Sequence, residues 1–293
     1  MTGGNPTKPG DWPWHAAIYE KISNVSANGS RLSGFRYRRS GTLVYKNVVL
    51  TVQHCPAIVK KDVKVALGKY DLSNDAEETG TQIIEVVEIV LFHKFNCLYL
   101  NDYRDIALMK LATNVIYTDY VQPICLWKTD LRKKNSSNTT YGTIPGWGYN
   151  KTTEDVKTLS QLTMPIIERG SCKNSGSFFR IDSDFKFCAG FANGSSPCNE
   201  DDGGALAVWV PDTLDAKTGK ESFEGAWYAR GVFVGSDVVG GELNCSTSYE
   251  HSIFSDLYTY MYRSWIQTEM NIFRTGSPLP AVEDVLQVWD QPS

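Results

Sequence analysis

The chain has 293 residues, of which 42% are hydrophobic and 21% charged, with a formal net charge of -4 at pH 7. That is an ordinary globular balance with enough apolar material for a sizeable core. The slight acidity gives no reason to expect nucleic acid as a partner, and no apolar run approaches the ~18 residues needed to span a membrane.

In chain order, most of the sequence predicts short β-strands between polar turns. Residues 41–45, 48–52, 63–67 and 83–87 are rich in β-branched side chains and bounded by Gly, Asn, Asp or Lys. A second series follows residues 121–127 and runs through 205–211 and 227–234. Many short strands at even spacing predict a barrel or sandwich rather than alternating β and α units. Residues 128–138 and 211–225 read as polar surface loops. One helix is expected near the end, where Leu257, Tyr260, Met261, Trp265 and Ile266 recur at three- and four-residue intervals. Tyr262 and Met270 fall less cleanly on that face. Residues 273–293 read as a Pro-containing tail.

Residues 1–4 carry neither the basic start nor the apolar stretch of a signal peptide. Two other features point outside the cell. Asn24, Asn28, Asn135, Asn138, Asn150 and Asn193 each precede x-Ser/Thr, the glycosylation triplet used in secreted or lumenal chains. Asn244 does so too, but with a cysteine at the middle of its triplet. Seven cysteines are too few for a cysteine scaffold and suit an extracellular enzyme. We expect a secreted, extracellular glycoprotein whose N-terminal signal or pro-region is not part of this sequence.

Residues 198–206 read Cys-Asn-Glu-Asp-Asp-Gly-Gly-Ala-Leu. Cys198, Asp201, Gly203 and Gly204 fall in register with Cys-x-Gly-Asp-Ser-Gly-Gly-Pro, the active-site signature of the chymotrypsin/trypsin-like serine proteases (peptidase family S1), which the chain resembles. Thr51-Val52-Gln53-His54-Cys55 resembles the family's Thr-Ala-Ala-His-Cys and implies His54 as the general base. Asp105-Ile106-Ala107-Leu108 resembles its Asp-Ile-Ala-Leu and implies Asp105 as the carboxylate that orients the imidazole. Pro145-Gly146-Trp147-Gly148, Trp12-Pro13-Trp14 and residues 120–126 are further family phrases. The order His, Asp, nucleophile segment is that of this family and not of subtilisin or the α/β-hydrolases. The resemblance covers roughly residues 1–271. It implies an all-β protein of two packed six-stranded antiparallel β-barrels, about 14–115 and about 124–262, with a C-terminal helix and the site in the cleft between them. The protease domain would span 1–272, with the tail at 273–293. Residues 14–19 and 227–231 look most like arthropod haemolymph or salivary members related to clip-domain proteases.

Acyl transfer in this family needs a hydroxyl nucleophile, a histidine to take its proton, a carboxylate behind the histidine and an oxyanion hole of backbone N–H groups. Asp202 stands where the resemblance puts the serine. A carboxylate has no proton to surrender to His54 and would repel a developing oxyanion. Glu200 replaces a glycine whose N–H helps form the oxyanion hole, and its side chain restricts that backbone geometry. Losing one oxyanion donor costs ~10²–10³ in rate, and losing the nucleophile costs far more. At the specificity pocket the resemblance puts Ser196 at the primary position, Ser252 at a wall glycine and Gly235 on the substrate edge. Phe233 stands for the serine that normally hydrogen-bonds the catalytic aspartate. We expect Asp202 to form an ion pair with His54.

The resemblance also implies that Asp201 pairs with the amino end created by zymogen cleavage, here near Met1, provided a free amino group is presented there. It implies the bridges Cys172–Cys188 and Cys198–Cys245. Cys55 would pair with a position now held by Arg39, Cys125 resembles a cysteine tied to an upstream segment, and Cys97 is extra, so a Cys55–Cys97 bridge stays open. Phe35-Arg36-Tyr37-Arg38-Arg39 reads first as a solvated strand edge and second as an exosite for partner proteins. Asp71, Asp75, Glu77 and Glu78 lie in a loop where some relatives bind calcium, but no metal and no cofactor is assigned.

The function expected is that of a secreted, catalytically inactive serine protease homologue. It would bind proteins as a cofactor or regulator of a proteolytic cascade, in arthropod immunity, melanisation or saliva. The partners would be cascade proteases, their substrates or their inhibitors. An active serine endopeptidase is the alternative, and a decoy binding a host protease or inhibitor is a second.

Overall fold

The computed structural model describes residues 1, 3–25, 31–52, 62–73, 80–92, 104–126, 140–148, 158–167, 184–191, 195–198, 200–212, 224–236 and 251–275, with backbone alone at 23–25, 31–33 and 236. In the N-terminal half, strands β2 (His15–Val25), β3 (Arg31–Tyr45), β4 (Val48–Thr51), β5 (Val63–Leu67), β6 (Gln82–Leu91) and β7 (Ala107–Leu111) close into a barrel in the order β2-β3-β4-β7-β6-β5. All neighbours run antiparallel. The short strands β4, β5 and β7 are buried almost throughout, which is why they read as near-continuous apolar runs. Closure leaves no unpaired edge between first and last strand.

The second half repeats the plan. Strands β8 (Tyr141–Gly146), β9 (Ser160–Ile167), β10 (Lys186–Ala189), β11 (Ala205–Pro211), β12 (Gly225–Ser236) and β13 (Ser252–Asp256) run in the order β9-β10-β13-β12-β11-β8. Pairing of β8 with β9 closes the ring. The two-residue β1 (Asn5–Pro6) adds to the edge of β9. The two six-stranded barrels are those expected from the resemblance. The second barrel is filled by Ile144, Leu162, Met164, Phe187, Leu206, Phe233 and Phe254, with the Met1 side chain among them.

One helix, α1 (Tyr260–Thr275), follows the last strand and runs three residues past the boundary expected at 272. Its buried face also differs from the expected one. Tyr262, Ile266, Met270 and Phe273 point inward, whereas Tyr260 and Met261 are exposed and Leu257 is buried in the turn before the helix. The spacings of four, four and three residues are a helical face. Starting the count at Leu257, which is not helical, put the expected stripe on a different side of the helix. Tyr262 and Trp265 pack edge-on against Phe92 at the end of β6, so the helix of the second half covers the first barrel.

Below the helix, Arg230 makes a two-pronged ion pair with Asp256, both buried, and lies over the Phe187 and Tyr258 rings. A buried guanidinium needs such a partner, and the planar fork matches the carboxylate.

Candidate functional site

The site is built where β3 meets the turn that leads into β11. Ser40 N donates to the Asp202 carbonyl at 2.9 Å, and Ala205 N donates to Thr42 Oγ1 at 3.0 Å. Gly203 sits between these contacts with φ of 89°, and a Cβ there would lie 2.2 Å from the Ser40 carbonyl and 2.3 Å from Thr51 Oγ1. Only glycine fits both the backbone angle and the space. Gly203, the first glycine of the signature's Gly-Gly, is therefore a requirement of two barrels meeting at backbone distance.

The three consecutive acids point in different directions. Asp201 is fully buried and turns into the second barrel, where its carboxylate accepts from Gly148 N at 2.7 Å and from Cys198 N at 2.8 Å. The Met1 amino nitrogen stands 3.4 Å from its Oδ2. Burial pushes the Asp201 carboxyl above its usual range, with the Met1 amino charge and the two amide donors opposing that shift. The Gly-Trp-Gly landmark makes room for this contact. A Cβ on Gly146 would fall 2.1 Å from Asp201 Oδ1, and one on Gly148 would overlap the Met1 nitrogen.

Asp202 turns the other way, toward the first barrel. Its Oδ2 lies 3.8 Å from Arg39 Nη1, both side chains largely buried. Arg39 Nη1 also donates to the Val52 carbonyl at 3.2 Å, and Nη2 lies 3.6 Å from Glu20 Oε1. The expected partner of Asp202, His54, falls outside the described residues, as do Cys55 and Cys97. Arg39 as a countercharge was not foreseen. The expected solvated strand edge holds for Arg36 and Arg38, which are exposed, but not for Tyr37 and Arg39, which are buried. The β2–β3 register shifts here, Ile18 facing Arg39 and Tyr19 facing Tyr37, so Arg38 is the extra residue of a bulge. Strand alternation was the available signal for Tyr37 and Arg39 as a pair, and the bulge is what no single sequence reveals.

Glu200 adopts a left-handed φ of 74°, the one non-glycine residue to do so among the described residues. That geometry costs an L-residue roughly 1–2 kcal/mol. Its carbonyl accepts from Tyr37 OH at 2.5 Å and from Ser40 Oγ at 3.4 Å, and its Oε1 lies 3.8 Å from Arg36 Nη2. Burial pushes the Glu200 carboxyl up, Arg36 and Arg38 oppose the shift, and Asp201 and Asp202 add to it. Burial also pushes the Tyr37 phenol well above its usual value, reinforced by the nearby carboxylates, so Tyr37 stays a donor.

Asp105 is buried, and its backbone carbonyl accepts from Ser255 Oγ at 2.9 Å. Phe233 packs against Phe254 across β12 and β13, deep in the second barrel. The Ser255 hydroxyl of β13, which the sequence did not point to, thus holds the Asp105 backbone. At the positions the resemblance assigns to the specificity pocket, Ser196 Oγ donates to the Pro197 carbonyl at 2.7 Å and meets Ser252 Oγ at 3.1 Å, both residues buried. Gly235 lies on β12 just past a register shift, opposite Ile253. Cys188 and Cys198 are each disulfide-bonded. Their expected partners Cys172 and Cys245 lie outside the described residues, as do Asn28, Asn135, Asn138, Asn150 and Asn193. Asn24 is on β2, opposite Leu32.

Among the described residues no group of three His, Cys, Asp or Glu side chains gathers to hold a metal ion. Asp71 binds the Ser73 amide and hydroxyl at 2.8 and 2.7 Å, an Asx turn, while Asp75, Glu77 and Glu78 lie outside the described residues. Also among the described residues, no helix is long and apolar enough to cross a membrane.

A family profile described as Trypsin matches residues 1–211. The chain is 26% identical over 275 residues to Limulus clotting factor C of Carcinoscorpius rotundicauda, covering 90% of this chain and 25% of that protein. It is 25% identical over 275 residues to clotting factor C of Tachypleus tridentatus, with the same coverage on each side. It thus spans about a quarter of the length of these clotting-factor relatives. It is also 28% identical over 273 residues to chymotrypsin-C of Mus musculus, covering 93% of this chain and 89% of that protein. With two six-stranded barrels meeting at the signature turn and a profile match over more than half its length, the chain belongs to the trypsin family of chymotrypsin-like serine proteases.

Proposed function

We propose that this chain is a secreted serine protease homologue without peptidase activity, which acts by binding proteins as a regulator within a proteolytic cascade. The observation that supports this reading is the Asp202 carboxylate, which the signature resemblance puts at the nucleophile position and which lies against the Arg39 guanidinium. A carboxylate there accepts hydrogen bonds and donates none, so it offers a base no proton and a carbonyl carbon no alkoxide. The neighbouring Glu200 adds a second negative charge where an oxyanion would develop. Ser196 and Ser252, at the positions the resemblance assigns to the specificity pocket, bond to each other and leave no charge to select a basic side chain. A chain that has lost the chemistry and kept the scaffold acts through its surface. Two of the relatives are named for clotting, which favours a cascade setting.

The test is labelling with a serine-directed fluorophosphonate, with an active trypsin-family protease as positive control. We expect no adduct on this chain, and covalent labelling within the 198–206 segment would overturn the reading. A second arm adds the purified chain to a reconstituted clotting or melanisation cascade and follows zymogen cleavage. A changed cleavage rate is expected, and an unchanged one refutes the regulatory role.

A further inference from the structure

We propose that Arg39 and Arg36 form an ionic clasp with Asp202 and Glu200 that fastens the signature turn to the first barrel and fills the cleft with the protein's own arginine. Four facts lead there. Arg39 is a buried cation, and burying a guanidinium is costly unless carboxylates and carbonyls surround it. Its two terminal nitrogens face Glu20 of β2, the Val52 carbonyl and Asp202, so it bridges a strand of the first barrel to the turn of the second. Three residues earlier on β3, Arg36 reaches Glu200 at 3.8 Å. Between these ion pairs, Tyr37 OH and Ser40 Oγ hold the Glu200 carbonyl, and Ser40 N holds that of Asp202.

The direction of the side chains matters as much as the distances. Positions 200 and 202 face β3 while 201 between them faces the second barrel, so an acid at 200 or 202 meets an arginine whereas the acid at 201 meets amides and the Met1 amine. The two acids that depart from the family signature are the two that meet β3. Arg39 is likewise the residue that leaves Cys55 without the partner the resemblance implies. The substitutions complement one another in charge across a single interface. The inner pair is largely buried and carries the clasp. In the outer pair Glu200 is half-buried but Arg36 is exposed, so solvent screens the pair and it contributes little. The clasp concerns how the cleft is closed, and it stands whether or not the chain proves to have peptidase activity.

The test is a double-mutant cycle on the full chain using Arg39→Ala, Asp202→Ala and the pair, read by urea unfolding at low salt. We expect the two changes to couple by about tenfold in the unfolding equilibrium constant, close to 1.4 kcal/mol. Coupling below about twofold would overturn the clasp and leave Arg39 serving Glu20 and the Val52 carbonyl. Asp202→Asn, which keeps shape and loses charge, covers the case in which Arg39→Ala does not fold. Amide hydrogen exchange across residues 200–204 should then rise several-fold over the native chain, and unchanged exchange refutes the proposal. Finally, ethylguanidinium at millimolar concentration should raise the Tm of Arg39→Ala but not of the Arg39→Ala, Asp202→Ala double variant. An equal response of both would show that the vacated space is not built around Asp202.

Discussion

His15 provides a sharp physical test, because it is an ionisable group buried where the first barrel meets the second half. It opens β2, is 2% exposed, lies tilted against the Trp147 ring at 4.8 Å, and meets Ser40 Oγ through Nε2 at 3.3 Å. Its Nδ1 is buried with no hydrogen-bond partner among the described residues. Burial lowers its pKa from 6.5 to about 3. The folded chain therefore leaves this imidazole neutral at pH values where the unfolded chain protonates it. Between pH 6.5 and about 3 the unfolded state binds the extra proton, so stability falls as pH falls, by ~1.4 kcal/mol per unit once well below the unfolded value. At pH 5.0 the accumulated loss is ~2 kcal/mol, and at pH 7.5 it is negligible. Glu200 and Asp201 work in the opposite sense, since their carboxyls are raised on folding and gain stability as pH falls through their folded values. Their contribution cancels when two variants are compared. Urea unfolding of the native chain and of His15→Gln at both pH values isolates the imidazole. Gln retains a polar contact to Ser40 and does not titrate, so its loss between pH 7.5 and 5.0 should be smaller by ~2 kcal/mol. Equal losses in the two proteins would refute the buried neutral histidine.

Three further outcomes follow from the geometry. Gly203→Ala forces an L-residue to φ of 89° with its Cβ against the Ser40 carbonyl, so unfolding measurements should show a loss of about 3 kcal/mol or more, or no folded protein. Glu200→Gly relieves the φ of 74° and loses only an ion pair to the exposed Arg36, so at pH 7 it should raise stability by ~1 kcal/mol, and a lower Tm would contradict that. Arg230→Leu strands the Asp256 carboxylate in a buried place and should cost ~3–5 kcal/mol, with much of the loss recovered when Asp256→Asn is added.

The β runs 41–45, 48–52, 63–67 and 205–211 were legible because inward-facing strands of closed barrels are dense in β-branched side chains. Gly203 of the signature was legible because two barrels meeting at backbone distance tolerate nothing larger there. The helix was visible but its face was misplaced, since Leu257 mimics the helical period from the turn before it. Asp202 and Glu200 announced themselves by departing from a pattern. What faces them did not, because Arg39 lies 163 residues earlier and turns inward beside a bulge at Arg38. The same holds for Ser255, which reaches Asp105 across 150 residues. The sequence by itself determined the family, the barrels and the presence of a carboxylate at position 202 beside the signature glycines, all of which reside in local composition and motif. Only the tertiary structure decided that the new carboxylate meets an arginine, because charge pairing depends on distance and burial, and these arise when the two barrels close on one another.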